Sequence, residues 1–372
     1  MKTNLIYFLI FVLISCEIKS QHYLPKDTIY GNVKKIREKV IFLTEIENPQ
    51  LLYYDDYGHS GFMGPESTIL RFRNTWFTSN LCYYINYERT FNTNNKVIKD
   101  VWFGKQDNFI NSYIKKYDKE NRILKEIDST RYSLYTTKYY YSNYGDVNII
   151  RQNSENHFFS HKYQKFENNK LKIEKVIDDN GTVYEHKYFY NDDKKLKYRI
   201  YKNPNSWKDE GEGTWSYGIQ DSILTVYKDI VNEYDAKKRL IKQQEFDLYQ
   251  DDINHKNPLL TNQTEFIYAD DKLILRKRKY RTGLESYDHY KYDKTNQINA
   301  RYCCDKNIEN AMIIEKYKFD KEIITNLKYT EDKKEYNVSF RYKFDNKNNW
   351  IEIIKNVNGK DLFKWIRQIE YF

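Results

Sequence analysis

Seven histidines are the first place to look for acid–base or metal chemistry in this 372-residue chain. Only His157 and His161 have a ligand spacing, four apart, which would place both on one face of a helix. Asn156-His-Phe-Phe-Ser-His-Lys-Tyr163 reads as strand instead, so a structural role is expected for both. Cys82, Cys303 and Cys304 lack the short, regular pairing of a metal motif. An oxidising compartment would permit a bridge from Cys82 to one of the neighbouring pair, but isolated buried or strand-face cysteines are the expectation. There is no Gly-x-Ser-x-Gly, no phosphate-cradling glycine loop and no His-Glu-x-x-His. A paired-carboxylate glycosidase site could hide among the many acids, because its two members need not be near in sequence. The expectation is no catalytic residue, no metal and no cofactor. Trp207 and Trp215 are the candidate ligand contacts, since each offers a flat apolar face with a polar edge.

The remaining cysteine, Cys16, follows Met-Lys-Thr-Asn and an apolar run from Leu5 to Ile14. One cation and ten apolar residues have the form of a secretory signal, while a bilayer span needs about 20. Leu13-Ile14-Ser15-Cys16 resembles the bacterial lipobox, with a large aliphatic three before the cysteine and a small residue directly before it. That resemblance implies cleavage before Cys16 and lipidation of its sulfur and new amino group. Residues 1–15 would then be signal and 16–30 a tether to the fold. An ordinary signal cut near Ser20-Gln21 is the alternative, and would leave a secreted or periplasmic protein. Several acyl chains hold a protein on a membrane stably, at about 0.8 kcal/mol per buried methylene.

Composition constrains the elements that must position these residues. Tyr occurs 38 times and Phe 20 times, whereas Gly (12), Pro (5) and Met (3) are scarce. Aromatics favour strands, and so aromatic a chain is not disordered. The formal charge of +9 falls by one when Lys2 leaves with the signal. Its 62 basic residues are interleaved with 53 acidic ones. The densest basic run, Arg276 to Lys279 with Arg281, reads as a solvated strand face, so no nucleic-acid partner is expected.

A repeat organises the body. An aromatic, usually an acid or amide, a polar stretch and an aliphatic recur as Tyr117-Asp118 with Ile123, Tyr190-Asn191 with Leu196, Tyr234-Asp235 with Leu240, Tyr292-Asp293 with Ile298, and Phe344-Asp345 with Trp350. Away from the middle of the chain the interval is 24 to 27 residues. Within a unit the period is two, so Tyr290 and Tyr292 share one inward face with Ile298, Ala300 and Tyr302. The polar stretch is turn chemistry, because Asp and Asn accept hydrogen bonds from the backbone two residues on. Each unit therefore reads as strand, turn, strand. Residues 203–213 and 250–262 interrupt the period and read as inserted loops.

These units resemble the YD repeats of Rhs-type proteins, clearest over residues 87–372. Asp118-Lys-Glu-Asn-Arg122-Ile123 and Asp235-Ala-Lys-Lys-Arg239-Leu240 keep the Asp and the Arg-aliphatic step, although the turn glycine is mostly replaced by Lys or Asn. The last unit is similar to the closing unit of small envelope proteins built from such repeats, and Gly31-Asn-Val33-Lys-Lys-Ile36 to their opening strand. The resemblance implies a wound β-sheet over residues 31–372. No toxin domain follows the repeats, so toxin delivery is not carried over.

The fold expected is all-β: an extended twisted antiparallel sheet or a β-solenoid-like array of hairpins. A transmembrane barrel is set aside, because Gln368 and Glu370 occupy alternate positions back from Phe372, where lipid-facing residues should be apolar. The function expected is a non-enzymatic, lipid-anchored scaffold in the bacterial cell envelope that meets a protein partner. Alternatives are a glycan-binding module using exposed Tyr and Trp, and a toxin-neutralising immunity protein.

Overall fold

The computed structural model describes residues 24, 27–44, 64–130, 134–155, 157–179, 183–193, 195–203, 205–211, 214–219, 225–247, 258–331 and 333–372. The chain begins with β1 (Val33–Phe42), α1 (Pro65–Thr78), β2 (Asn86–Phe91), β3 (Val97–Phe103), β4 (Phe109–Tyr117), β5 (Ile123–Thr130), β6 (Leu134–Tyr141) and β7 (Val147–Asn153). It continues with β8 (Phe158–Glu167), β9 (Lys170–Asp178), β10 (Val183–Tyr190), β11 (Leu196–Asn203), β12 (Asn205–Gly211), β13 (Thr214–Ile219), β14 (Thr225–Tyr234) and β15 (Leu240–Asp247). It ends with β16 (Leu259–Ala269), β17 (Lys272–Tyr280), β18 (Glu285–Tyr292), β19 (Ile298–Cys303), β20 (Met312–Asp320), β21 (Ile323–Glu331), β22 (Lys334–Phe344), β23 (Trp350–Val357) and β24 (Lys360–Tyr371).

Sequential strands pair antiparallel all the way round, and β1 pairs with both β2 and β24. The 22-stranded sheet is therefore a closed ring. The antiparallel all-β class stands, but the sheet is neither open nor a solenoid. Closure satisfies the backbone groups that an open edge would expose, and an even number of strands lets every neighbour remain antiparallel. β12 and β13 stand apart as a two-stranded hairpin between β11 and β14. The first interruption is thus ordered as strand rather than loop, and residues 259–262 of the second belong to β16.

The hairpins show why the repeat is written as it is. Asp118 Oδ1 accepts from the N–H groups of Glu120 and Arg122 at 2.8 and 2.9 Å, while Asn121 takes a φ of 61°. Asp293 and Asp345 hold their turns in the same way, with Asn296 and Asn348 at φ 67° and 63°. Asp235 accepts from Arg239 N–H, with Lys238 at φ 66°. The left-handed position that glycine favours is filled by Asn or Lys. Each turn tyrosine also reaches back to the preceding hairpin. The hydroxyls of Tyr117, Tyr141, Tyr190, Tyr268 and Tyr292 donate to the carbonyls of Val97, Ile123, Leu171, Leu240 and Leu273 at 2.8 to 3.0 Å. The aromatic and aliphatic members of the repeat thus meet across neighbouring units.

The helix was missed by the all-β reading. Pro65 and Glu66 suit its first turn, and Thr68, Phe72 and Trp76 make a buried stripe at intervals of four. It contacts one face of the sheet from several directions. Phe77 packs on Phe340 of β22, Phe72 and Trp76 on Trp365 of β24, and Glu66 takes an ion pair from Lys115 of β4 at 3.1 Å. Strands so far apart around a ring can meet one short helix only on its concave side, so α1 lies inside. Its core includes Tyr87, Trp102, Leu327, Ile353 and Phe363. Arg367 of β24 is buried between Glu38 of β1 and Asp27, which also bonds Trp350 Nε1 at 3.0 Å and Arg73 of α1 at 2.6 Å. Burial opposes the charge on Asp27, but Arg367 and Arg73 outweigh it and hold the carboxyl at about 2. The start of the fold is fastened to its last strand.

Outward positions follow from the register. Glu233, Lys242, Glu265 and Lys277 stand opposite one another across four strands, as do Lys116, Lys125 and Lys138 across three. Gln368 and Glu370 are paired with Arg37 and Lys35. These rows of the outer wall are charged, and the second continues through Ile150 to Ile177.

Candidate functional site

The ring has two unlike ends. At one, which we call the turn end, short turns join the strands and both ends of the fold meet, with Phe372 N–H donating to Asn32 O at 3.0 Å. At the other, the loop end, lie the four longest connections, between β1 and β2, β11 and β14, β15 and β16, and β19 and β20. Loops on a rigid frame are where binding residues concentrate.

On the inner wall at the loop end, four rings from β10, β11 and β14 meet. His186 lies 5.6 Å from Tyr184 and 5.1 Å from Tyr201 between ring centres, and Tyr201 lies 5.6 Å from Tyr227. The alternation of each strand aims these residues inward together, because Tyr201 stands opposite both His186 and Tyr227. Arg199 beside them grips Asp229 at 2.6 Å, and His186 Nε2 is 3.7 Å from the same carboxylate. Tyr227 donates to Asp247 Oδ1 at 3.0 Å. Burial and Arg199 press the His186 pKa below its ordinary value, so the ring is neutral at pH 7. Burial, then Asp247, raises the Tyr227 phenol, and burial with Glu174 and Asp178 raises that of Tyr184.

No protein-family model matches the chain, and no curated protein matches it. Among solved structures it is similar to the Photorhabdus luminescens Tc holotoxin pore, at 9% identity and a TM-score of 0.30, over 75% of this chain but 19% of that one. It is also similar to a porin-like protein from Bacteroides uniformis, at 11% identity and 0.25 over 92% of this chain and 100% of that one. A porin-like protein from Bacteroides vulgatus is similar at 12% and 0.21, over 70% and 94%. The chain thus spans about a fifth of the toxin chain.

The hairpin carrying Trp207 and Trp215 leaves the wall where the tyrosines gather, between Asn203 and Thr225. In backbone register Trp207 stands opposite Tyr217, and Asp209 opposite Trp215. Cys16 lies outside the described residues, as do the signal and most of the tether. His157 and His161 are not brought together as a site: His161 bonds Asn148 at 3.0 Å, and exposed His157 lies near Glu155. Cys82 is buried and unbridged, and the disulfide joins Cys303 to Cys304. The basic run of β17 is split by the pleat, Arg276 turning to Asp288 and Lys277 to Glu285 on the other face. Among the described residues no group of three or more His, Cys, Asp or Glu could hold a metal ion. The ring cluster escaped sequence reasoning because Tyr184, Tyr201 and Tyr227 belong to three strands. The signal available was a tyrosine near the same end of each.

Proposed function

We propose that the chain is a non-enzymatic, lipid-anchored protein of the bacterial envelope, whose β-ring is a scaffold that meets a protein partner at its loop end. The observation that carries this reading is the separation of the two ends. From Cys16 to Asp27 the chain can span at most about 40 Å, at 3.3 to 3.6 Å per residue. A lipid on Cys16 would keep the turn end towards the membrane and present the loop end away from it. The charged row across β14 to β17 supports attachment through lipid rather than through strands, since a spanning barrel needs an apolar outer band all the way round.

Most inward carboxylates are taken up by neighbouring cations, which fits the non-enzymatic part. Asp100, Glu126, Glu174, Asp229, Asp288 and Glu315 each lie within ion-pair distance of an Arg or Lys. Asp128 lies 3.5 Å from Arg151, and burial raises its pKa. Nothing in the geometry favours a toxin-neutralising role.

Two measurements test the proposal in intact cells. Cys16→Ala should move the protein from membranes to the soluble fraction and end fatty-acid labelling. A photo-crosslinking residue replacing Tyr217 should trap a protein, while one replacing Lys119 in a turn-end hairpin should not. Membrane association unchanged by Cys16→Ala would overturn the anchor. Equal trapping from both positions, or none, would overturn the loop-end scaffold.

A further inference from the structure

We infer that Cys303 and Cys304 form a reversible thiol–disulfide exchange site, whose reactant is a dithiol reductant and whose state sets the shape of the connection between β19 and β20. The disulfide joins two residues that are neighbours in sequence. A bridge restrains the unfolded chain according to the length of loop it closes, and this one ties no two separate elements together. It is not a staple of the ring. Its effect is local, at the point where β19 ends and the connection begins.

Three observations mark the bond as labile. Cys304 takes a φ of 77°, in the left-handed region that a residue with a Cβ rarely enters. Being neighbours, the two residues hold their Cα atoms 3.7 Å apart, against about 4.4 to 6.8 Å in most disulfides, and bridges outside that range reduce more easily. Cys304 is exposed at the loop end, while Cys303 is half-buried on its strand. Disulfides that are exposed or strained are the ones that exchange. An incoming thiolate bonds to the Cys304 sulfur as the Cys303–Cys304 bond breaks, and its electron pair leaves on Cys303 as a thiolate that takes a proton from water. The second thiol of the reductant then displaces Cys304, so the dithiol is oxidised to a disulfide as the pair is reduced to two thiols. Exchange with a disulfide oxidant reverses both steps.

Beside the bridge, the connection is pinned to β18. Cys304 N–H donates to Tyr287 O at 3.3 Å, and His289 Nε2 donates to Asp305 O at 2.9 Å. Asp305 Oδ1 in turn accepts from Asn307 N–H at 2.7 Å. Once the bridge opens, no covalent ring holds Cys304 left-handed, and its relaxation redirects the chain after β19 against these bonds. The oxidised and reduced chains therefore present different surfaces from Cys304 to Ala311. The site is independent of the scaffold reading, although it lies at the end where that reading puts the partner.

The test uses the full mature chain in detergent micelles, treated with N-ethylmaleimide before and after dithiothreitol and mapped by peptide mass. Without reductant neither Cys303 nor Cys304 should take label. With it both should, while buried Cys82 stays unlabelled until denaturant is added. Trypsin reads the loop. Cleavage after exposed Lys306 should quicken several-fold on reduction, and cleavage after Lys119 at the turn end should not change. Cys303→Ser with Cys304→Ser should be cut after Lys306 at the reduced rate, with or without reductant. Label on the pair before reduction would show that the bond does not form, and would overturn the site. A pair that takes label only together with Cys82 would overturn it too, because the bond would then open by unfolding. One rate of cleavage after Lys306 in the oxidised, reduced and double-serine chains would overturn the control of the loop.

Discussion

The ammonium of Lys355 has no solvent exposure: it donates to Leu81 O at 2.5 Å and lies 5.4 Å from the centre of the Trp76 ring. Burial presses its pKa from 10.5 to about 7, with nearby Cys82 acting weakly the other way. The unfolded chain keeps that proton to about pH 10, so between pH 7 and 10 it binds more proton than the folded chain does. Stability should therefore rise with pH across that window, by at most about 1.4 kcal/mol per unit from this group. Denaturant titrations of the parent and of Lys355→Met should show the rise in the parent and its loss in the variant. A second residue-scale expectation concerns the reach-back tyrosines. Tyr292→Phe removes only a hydroxyl bonded to Leu273 O, and should cost about 0.5 to 1.5 kcal/mol in the same titration. Turn residues such as Asp118 and Asp293 were legible in the sequence because their partners lie within four residues. The surroundings of Lys355 were not, because α1 and the segment after it come from some 280 residues earlier in the chain.

At the scale of elements, strand and turn followed from alternation and from Asx chemistry, and they position nearly everything else. The helix did not follow. Phe72, Trp76 and Phe77 carry a helical period, but they sit in a chain in which most of the other described aromatics lie on strands. Context rather than propensity decides the matter, since the ring supplies a concave apolar wall that one helix can fill. The turns leave room for improvement at one position. Lys238 holds a left-handed conformation that costs a residue with a Cβ about 1 kcal/mol or more, and no side-chain contact of the turn depends on it apart from surface ion pairing with Asp193. Lys238→Gly should raise the unfolding midpoint, with a gain of about 0.5 to 1 kcal/mol. A lowered midpoint would show that the ion pair or the chain entropy of glycine dominates.

Closure belongs to the whole molecule, and no local pattern encodes it. A row of identical hairpins serves an open sheet, a spiral or a ring equally well, and the choice lies in how twist accumulates from strand to strand. The decisive pairing joins Val33 to Phe42 with Phe363 to Tyr371, segments at opposite ends of the chain. Neither carries a motif that names the other. The loop-end site was half-legible for a related reason. The tryptophans of the hairpin stood out as an interruption of the period, whereas the wall they adjoin was hidden in the regularity of the repeat.

That pairing has a temporal meaning. Of the described strands β1 is the first to leave the ribosome, and one of its two partners is the last. Until residue 371 has emerged, every nascent form of the sheet ends in an unpaired strand open to any other chain. Refolding should accordingly show a slow, concentration-sensitive phase, reported by Trp365 as it joins the core. The seam need not stay where it is. Asn32 and Phe372 already touch, so linking Phe372 to the segment just before β1 and opening the chain within residues 212–213 should give a permuted protein with the same ring. Its closing contact would then be β11 with β14, and the slow phase should move with the new break.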